Sequence, residues 1–558
     1  MFLNKDIIKN IFNNIRSHTI KLNLNEFVFL ISLLNSIFFT YPLFSKLLNY
    51  NFNKITYFLV GSLVFLLSLA ISNILYSVIL WKKSCKYIAF VLFFINSIVL
   101  YYMAIFNIAI DFNMIVNLFE TNTKEAKEFI TIKFILFILS FNIVFGYIIF
   151  KKILIIDNTY YIKQKIISIF ISICVAISII TPCYLFESSF LFLRHNQTTI
   201  NFLIPVNYIG GIIEYSQKSL SKKFHKKELF SITNDLKFTD NKTKKNLIFF
   251  VIGESARSKN FSLNGYDRNT NEFLEKQNNL ISFKNFYSCE TSTEPTLICT
   301  FSHFSRNNFN YNEAFKYETL LHILNKVGIK VIWRSNNGRC KQIACKDGTI
   351  SNSIVKSFGT ELYDDLLLKS AKFNVENLTN KDNNAVLFLH MWGSHGPVYA
   401  NKFPKDFQKF NPSCETSIEK CDLEKIVNSY DNSLYYSSYI VNEMIEYLKT
   451  KEKEYNVGLI FMSDHGESLG ENNTFLHSAP YDTAPIDQKN PAFFMWFSQD
   501  FADEFNLDLN CLRQHKDDYF SQDNIFHSML GLFDISSKFY QKELDIFSIC
   551  KKTILPQK

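Results

Sequence analysis

Two carboxylates and an imidazole stand out beyond residue 250 of this 558-residue chain. Glu254 lies in GES (253–255), and Asp464 and His465 lie in SDHGES (463–468), each just after a short apolar run. Carboxylate oxygens with an imidazole nitrogen make a hard-to-borderline ligand set, suited to zinc or another divalent ion. A fourth ligand must come from elsewhere. Thr293 is a candidate, in CETSTEPTLIC between Cys289 and Cys299, where a short disulfide loop would hold a hydroxyl at a fixed angle. Metal coordination lowers a hydroxyl pKa and delivers an alkoxide nucleophile near neutral pH. Thr291, Ser292 and Thr296 share the segment, and spacing does not choose among the four. His395, in GSHGP (393–397), and His477 would bind a second ion, hold a phosphate oxygen or protonate a leaving alkoxide. A lone glutamate after a strand more often caps a helix or faces water, so the reading rests on the set.

These residues need a scaffold that brings distant segments to one place. From 246 onward, short apolar runs alternate with longer helix-like stretches, the pattern of an α/β domain. The runs 247–252 (LIFFVI), 329–333 (IKVIW), 385–390 (AVLFLH) and 457–462 (VGLIFM) are the expected core strands. Open α/β sheets carry their ligand groups just beyond the carboxyl ends of the strands, where GES, GSHGP and SDHGES fall. Polar groups are therefore expected to converge on one rim.

Apolar residues crowd the first third of the chain. Segments near 27–45, 57–81, 87–110, 134–150 and 166–186 are long enough to cross a bilayer core of about 30 Å. Lys5, Lys9, Arg16 and Lys21 precede the first without a cleavage pattern, which indicates an uncleaved span. Lys82, Lys83 and Lys86 follow the second, and Lys151, Lys152, Lys163 and Lys165 the fourth. The positive-inside rule puts those loops in the cytoplasm and everything after about residue 187 outside. The expected division is a transmembrane domain over residues 1–186, a connector over 187–245 and a soluble domain over 246–558. The connector reads either as an interfacial basic helix or as a solvated linker. The net charge of +8 fits anionic lipid, and no nucleic-acid motif is evident. The couples Cys289 with Cys299, Cys340 with Cys345, and Cys414 with Cys421 have unequal spacings and no C-x2-C. Disulfides in an oxidising periplasm explain them better than zinc knuckles do. Cys511 and Cys550 remain open.

Taken together, the spans, GESAR (253–257), NGYDRNT (264–270), the TST of CETSTEPTLIC, NNG (336–338), GSHGP, SDHGES and LHSAPYDTAP (476–485) resemble one family. It is the bacterial phosphoethanolamine transferases that modify lipid A, including the mobile colistin-resistance enzymes. The resemblance implies a five-helix transmembrane domain joined to an α/β/α sandwich of the alkaline phosphatase and sulfatase type. It implies a zinc site of Glu254, Thr293, Asp464 and His465, with Thr293 as nucleophile. His395 and His477 would serve substrate or a second metal, with Glu467 nearby. Asn117, Thr121, Glu125, Asn337 and Lys341 would hold the donor lipid. The implied reaction is a ping-pong transfer from phosphatidylethanolamine to lipid A or lipopolysaccharide by an inner-membrane monomer, lowering sensitivity to polymyxin. Core sugars, a glycan or a protein would serve the same donor half-reaction as acceptors. Glu290 and Glu294 depart from the family by flanking the TST core, as does LICTFS (297–302). Two carboxylates there need a neutralising partner or a different substrate preference. A sulfatase would need a C/S-x-P-x-R setting, which is not found at the expected place. The cysteine couples fit a glycerophosphate transferase poorly, and the intact set Glu254, Asp464, His465, His395 and His477 argues against a silent scaffold or lipid sensor.

Overall fold

In the computed structural model, the apolar run that ends at Gly253 becomes the central strand of a six-stranded sheet. The structure describes residues 19–47, 53–120, 123–185, 201–224, 229–232, 234–238, 243–338, 343, 363–379 and 384–551. The chain forms two units: Met1–Ile115 with Ile130–Tyr215, and Val116–Phe129 with Ser216–Lys558.

In the first unit, strand β1 (Ile20–Leu22) leads into helix α1 (Leu24–Phe39), whose N-terminus is closed by an Asn23–Glu26 capping box. Helices α2 (Tyr41–Leu47), α3 (Lys54–Ile79) and α4 (Cys85–Phe106) follow, then α5 (Ile132–Tyr147), strand β2 (Ile153–Ile155) and α6 (Tyr161–Leu185). Among the described residues four helices are long and apolar enough to cross a membrane, and α1 with α2, which meet at a 43° bend, makes a fifth if that pair is one span. Five is the number the hydropathy predicts. The parallel pairing of β1 with β2 was not foreseeable, because each strand is only three residues long.

The packing of this unit inverts that of a water-soluble bundle. Phe58, Ile132 and Phe170 point outward, while Asn35, Tyr76, Asn96 and Tyr208 are buried. Asn35 Oδ1 accepts from Tyr76 OH at 2.9 Å and from Asn96 Nδ2 at 2.8 Å, and Asn96 Oδ1 accepts from Tyr208 OH at 2.9 Å. Where the solvent is hydrocarbon, apolar contact with lipid is as favourable as contact with another helix, so paired polar groups add specificity to the interior.

The second unit is built on strands β3 (Lys245–Gly253), β4 (Leu280–Phe283), β5 (Lys330–Ser335), β6 (Asn384–His390), β7 (Tyr455–Ser463) and β8 (Phe493–Phe497). Their order across the sheet is β4-β8-β7-β3-β6-β5. The four expected strands are β3, β5, β6 and β7, and they run parallel. All of β6 and β7, and all of β3 after Lys245, are buried. Strands covered on both faces need unbroken apolar sequence, which LIFFVI, AVLFLH and VGLIFM supply. Strands β8 and β4, which the sequence did not suggest, add an antiparallel edge. Helices α7 (Thr293–Thr300) and α8 (Leu423–Lys449) are among those packed about the sheet, as expected of an α/β/α sandwich. Phe250 in β3 packs against Phe301 and Phe388, with ring centroids 5.6 and 5.3 Å away.

Disulfides join Cys289 to Cys299, Cys414 to Cys421 and Cys511 to Cys550, which closes the question left at the last pair. Cys340, Cys345, Lys341, Thr121 and the Glu125 side chain lie outside the described residues.

Gly253, the last residue of β3, lies tightly against the Phe461 ring of the neighbouring strand β7. A Cβ there would lie 2.4 Å from Phe461 Cζ and 3.0 Å from its Cε2. Gly253→Ala is therefore expected to cost about 1–3 kcal/mol through overpacking. Chemical unfolding measures it, and a variant as stable as the parent would contradict this packing.

Candidate functional site

Because β3, β6 and β7 run parallel, their carboxyl ends open on one rim and deliver Glu254, the 390–395 segment and Asp464–His465 to the same place. Helix α7 begins there with Thr293 as its first residue. Thr293 Oγ1 donates to Glu254 Oε2 at 3.2 Å and lies 3.5 Å from His465 Nε2. His465 Nε2 is 3.4 Å from Glu254 Oε1 and 3.2 Å from Asp464 Oδ2. Glu254, Asp464 and His465 are fully buried, and Thr293 is 6% exposed. Of the four hydroxyls in the 291–296 segment, that of Thr293 faces the carboxylate and imidazole. Thr291 Oγ1 instead donates to the Ala479 carbonyl at 2.5 Å.

Neighbours orient each member of the cluster. Glu254 Oε1 accepts from Ser255 Oγ at 2.9 Å and Oε2 from Asn337 Nδ2 at 2.5 Å. Asp464 Oδ1 accepts from the backbone N–H groups of Ser255 (3.1 Å) and His465 (2.8 Å). The Nδ1 of His465 lies 2.8 Å from the Gly466 carbonyl, so Nε2 is the nitrogen turned to the cluster. Gly393 passes close enough that a Cβ on it would lie 2.8 Å from the Glu254 carbonyl oxygen. No side chain fits there.

Electrostatics set the two carboxylates against each other. Burial works to raise Glu254, but the neighbouring imidazole of His390 and the charges of His465, His395 and His477 hold it well below the usual carboxylate range. Asp464 moves the opposite way, lifted well above that range by burial and then by the charge of Glu254. Burial and His477 push His465 down to about 3 against the pull of Glu254, so its imidazole is neutral at neutral pH, as a metal ligand must be. Asp464 Oδ2 is buried with no hydrogen-bond partner among the described residues. A divalent cation among these atoms would favour both ionised carboxylates and satisfy that oxygen, so the donor set fits a metal. Ligand atoms of Glu254, Asp464 and His465 lie within 4.8 Å of one another.

A second group adjoins the first. His477 Nδ1 pairs with Glu467 Oε2 at 2.8 Å, and Tyr399 OH donates to Glu467 Oε1 at 2.6 Å. The His477 ring lies 4.3 Å from that of His465 and 5.3 Å from that of His395. His395, His477 and Glu254 form one candidate metal-holding trio, and His465, Glu467 and His477 another.

Of the residues expected at the donor lipid, Asn337 is turned to Glu254, and Asn117 Nδ2 donates to Ser478 Oγ at 2.6 Å, next to His477. Sequence reasoning missed His390 and Tyr399. His390 is fully buried, with Nε2 3.8 Å from Glu254 Oε2, and its signal was a polar residue closing the apolar run AVLFLH. Tyr399 had no signal, since its partner lies 68 residues away.

The two unusual glutamates find partners. Glu294 is buried in the first turn of α7 and accepts a hydrogen bond from Tyr311 OH. Glu290 lies 3.9 Å from Arg306, whose guanidinium stacks 3.3 Å over the Tyr481 ring.

Known proteins resemble the chain in both units. The family model for phosphoethanolamine transferase EptA/EptB matches residues 68–220, and that for sulfatase matches residues 246–535. Phosphoethanolamine transferase EptA of Escherichia coli K12 is 34% identical over 465 residues, 81% of this chain and 83% of its own length. Phosphatidylethanolamine transferase Mcr-1 of Escherichia coli is 27% identical over 516 residues, 87% of this chain and 92% of its own. Among solved structures, the integral membrane lipooligosaccharide phosphoethanolamine transferase A (EptA) of Neisseria meningitidis superposes with a TM-score of 0.87. It is 28% identical, and the match covers 96% of this chain and 100% of that one.

Tyr311→Phe removes one partner from a buried carboxylate and is expected to cost about 1–3 kcal/mol in chemical unfolding. A variant within a few tenths of the parent would show that Glu294 does not depend on that hydroxyl.

Proposed function

The chain belongs to the phosphoethanolamine transferase family, and from that premise we propose that it moves phosphoethanolamine from phosphatidylethanolamine to a lipid A phosphate through a covalent intermediate on Thr293. It is an integral membrane protein with its catalytic domain on the periplasmic side. The observation that carries the reading is the Thr293 hydroxyl, bonded to Glu254 and 3.5 Å from His465 Nε2.

Glu254, Thr293, Asp464 and His465 would hold a divalent ion, which we take to be zinc; when bound, it lowers the hydroxyl pKa and offsets phosphoryl charge. Thr293 Oγ attacks the donor phosphorus, and the bond from phosphorus to the glycerol oxygen breaks. The hydroxyl proton leaves to solvent, and Glu254, which stays ionised, orients the hydroxyl by accepting its hydrogen bond. The departing diacylglycerol oxygen takes a proton from the imidazole pair His395 and His477. Glu467 holds the Nδ1–H of His477 and the Gly396 carbonyl that of His395, which turns Nε2 of each ring to the reacting atoms, and the imidazolium form donates its proton from there. In the second half, an acceptor phosphate oxygen attacks the same phosphorus as its own proton passes to the imidazole pair, the bond to Thr293 Oγ breaks, and Thr293 takes a proton back from solvent.

Asn117, Thr121, Glu125, Asn337 and Lys341 are the proposed donor contacts, a reading supported for Asn117 by its bond to Ser478 beside His477. Lipid A as acceptor is supported by the neisserial protein, whose name gives lipooligosaccharide as its target. The added amine offsets phosphate charge, which is expected to weaken binding of polymyxin and other cationic peptides.

Thr293→Ala is expected to abolish diacylglycerol release and transfer, assayed with the purified full-length protein and a fluorescent phosphatidylethanolamine. A phosphoethanolamine adduct found by intact mass on that variant would sink the assignment. Asp464→Asn is expected to lose most of the bound metal while remaining folded. Elemental analysis per chain measures this, and full metal occupancy would remove Asp464 from the ligand set.

A further inference from the structure

The candidate site is assembled from separate stretches of chain, and two of them meet on one side chain. The segment 289–293 leads to Thr293, and the end of β7 carries Asp464 and His465. Gln522 lies between them with 0% exposure. Its Oε1 accepts from the backbone N–H of Cys289 at 2.7 Å. Its Nε2 donates to the carbonyls of Asp464 at 2.7 Å and Ser463 at 3.1 Å. The amide thus uses its oxygen on one stretch and its nitrogen on the other.

The backbone around Gln522 reinforces the placement. Phe520 and Ser521 pair in parallel with Phe286 and Tyr287, and the Gln522 N–H donates to the Tyr287 carbonyl at 2.9 Å. The residue therefore runs alongside the chain just before it turns toward Thr293. Beyond that turn the Cys289–Cys299 disulfide ties the segment to the end of α7. The disulfide closes the segment on itself but does not locate it against β7. Gln522 does, through groups that carry no charge and leave the side chains of Asp464 and His465 for other partners.

We propose that Gln522 is the positioning residue that sets the distance and angle of the Thr293 hydroxyl relative to Asp464 and His465. The proposal rests on Thr293 being the nucleophile. Gln522 touches no reacting atom, so its effect is on the geometry of attack. A displacement of about 1 Å at a reacting group costs on the order of 100-fold in rate. A glutamine is suited to the task because it carries a donor and an acceptor on one planar group. Leucine has neither, glutamate lacks the donors when ionised, and a histidine ring offers one of each.

The test uses the purified full-length protein in micelles containing phosphatidylethanolamine. Rapid quenching and intact mass give the rate of adduct formation on Thr293, alongside KM for the lipid, metal per chain and the unfolding temperature. Gln522→Leu is expected to slow adduct formation by about 10- to 100-fold. KM and metal content are expected to hold, with Gln522→His recovering much of the rate. A purely structural role would lower the unfolding temperature or the metal content and leave the rate per loaded site unchanged. That result overturns the proposal, as does a Leu variant that loses activity only through a raised KM. If the Leu variant does not fold, Gln522→Glu replaces it, with slow adduct formation expected and an unchanged rate overturning the idea. If the parent protein itself forms no adduct on Thr293, the nucleophile reading fails first, and the two failures are told apart.

Discussion

Everything at the rim depends on keeping the carboxylate of Glu254 ionised where no water reaches it. An isolated buried charge is costly enough that a carboxyl would ordinarily take up a proton instead. Here Ser255, Asn337 and Thr293 donate to it, and His390 and His465 stand beside it. Asp464, without comparable support on Oδ2, is driven toward its neutral form by the same neighbour. A cation joining the pair would let both carboxylates ionise, so the polar shell is suited to house a metal ion.

That shell is held by the sheet beneath it. Three strands buried on both faces end level with one another, the glycine at 253 leaves room for the Phe461 ring, and the glycine at 393 lets its segment pass the Glu254 backbone closer than any side chain permits. The rim gains rigidity from close-packed aromatic residues such as Phe250, Phe301 and Phe388, so small shifts in the core would be felt at Glu254. The first unit solves a different problem. Its exterior is apolar, and a connected set of amide and hydroxyl groups around Asn35 and Asn96 supplies the specificity that hydrophobic burial supplies in water.

The glutamates at 290 and 294 illustrate how a local departure is absorbed. Read from sequence, both carboxylates threaten to repel a phosphate on Thr293. In the fold Glu294 turns back to the Tyr311 hydroxyl, and Glu290 faces Arg306, whose guanidinium is stacked on Tyr481. Both find protein partners in the fold. The partners lie 16 and 17 residues along the chain, beyond the reach of any spacing argument.

What the sequence determined by itself follows from local physics. Apolar length marked the spans, unbroken apolar runs marked β3, β5, β6 and β7, and polar residues just past three of those runs marked Glu254, His395, Asp464 and His465. Each of these signals is carried by neighbouring residues, so a linear reading reaches it. The tertiary structure alone decided which hydroxyl of the 291–296 segment meets the carboxylate, that Cys511 pairs with Cys550, and that His390, Tyr399 and Gln522 stand at the site. It also decided the antiparallel edge of β8 and β4, whose short apolar runs carry no mark of direction. These outcomes depend on contacts between residues tens to hundreds of positions apart, which only the closed sheet and the packing around it bring together.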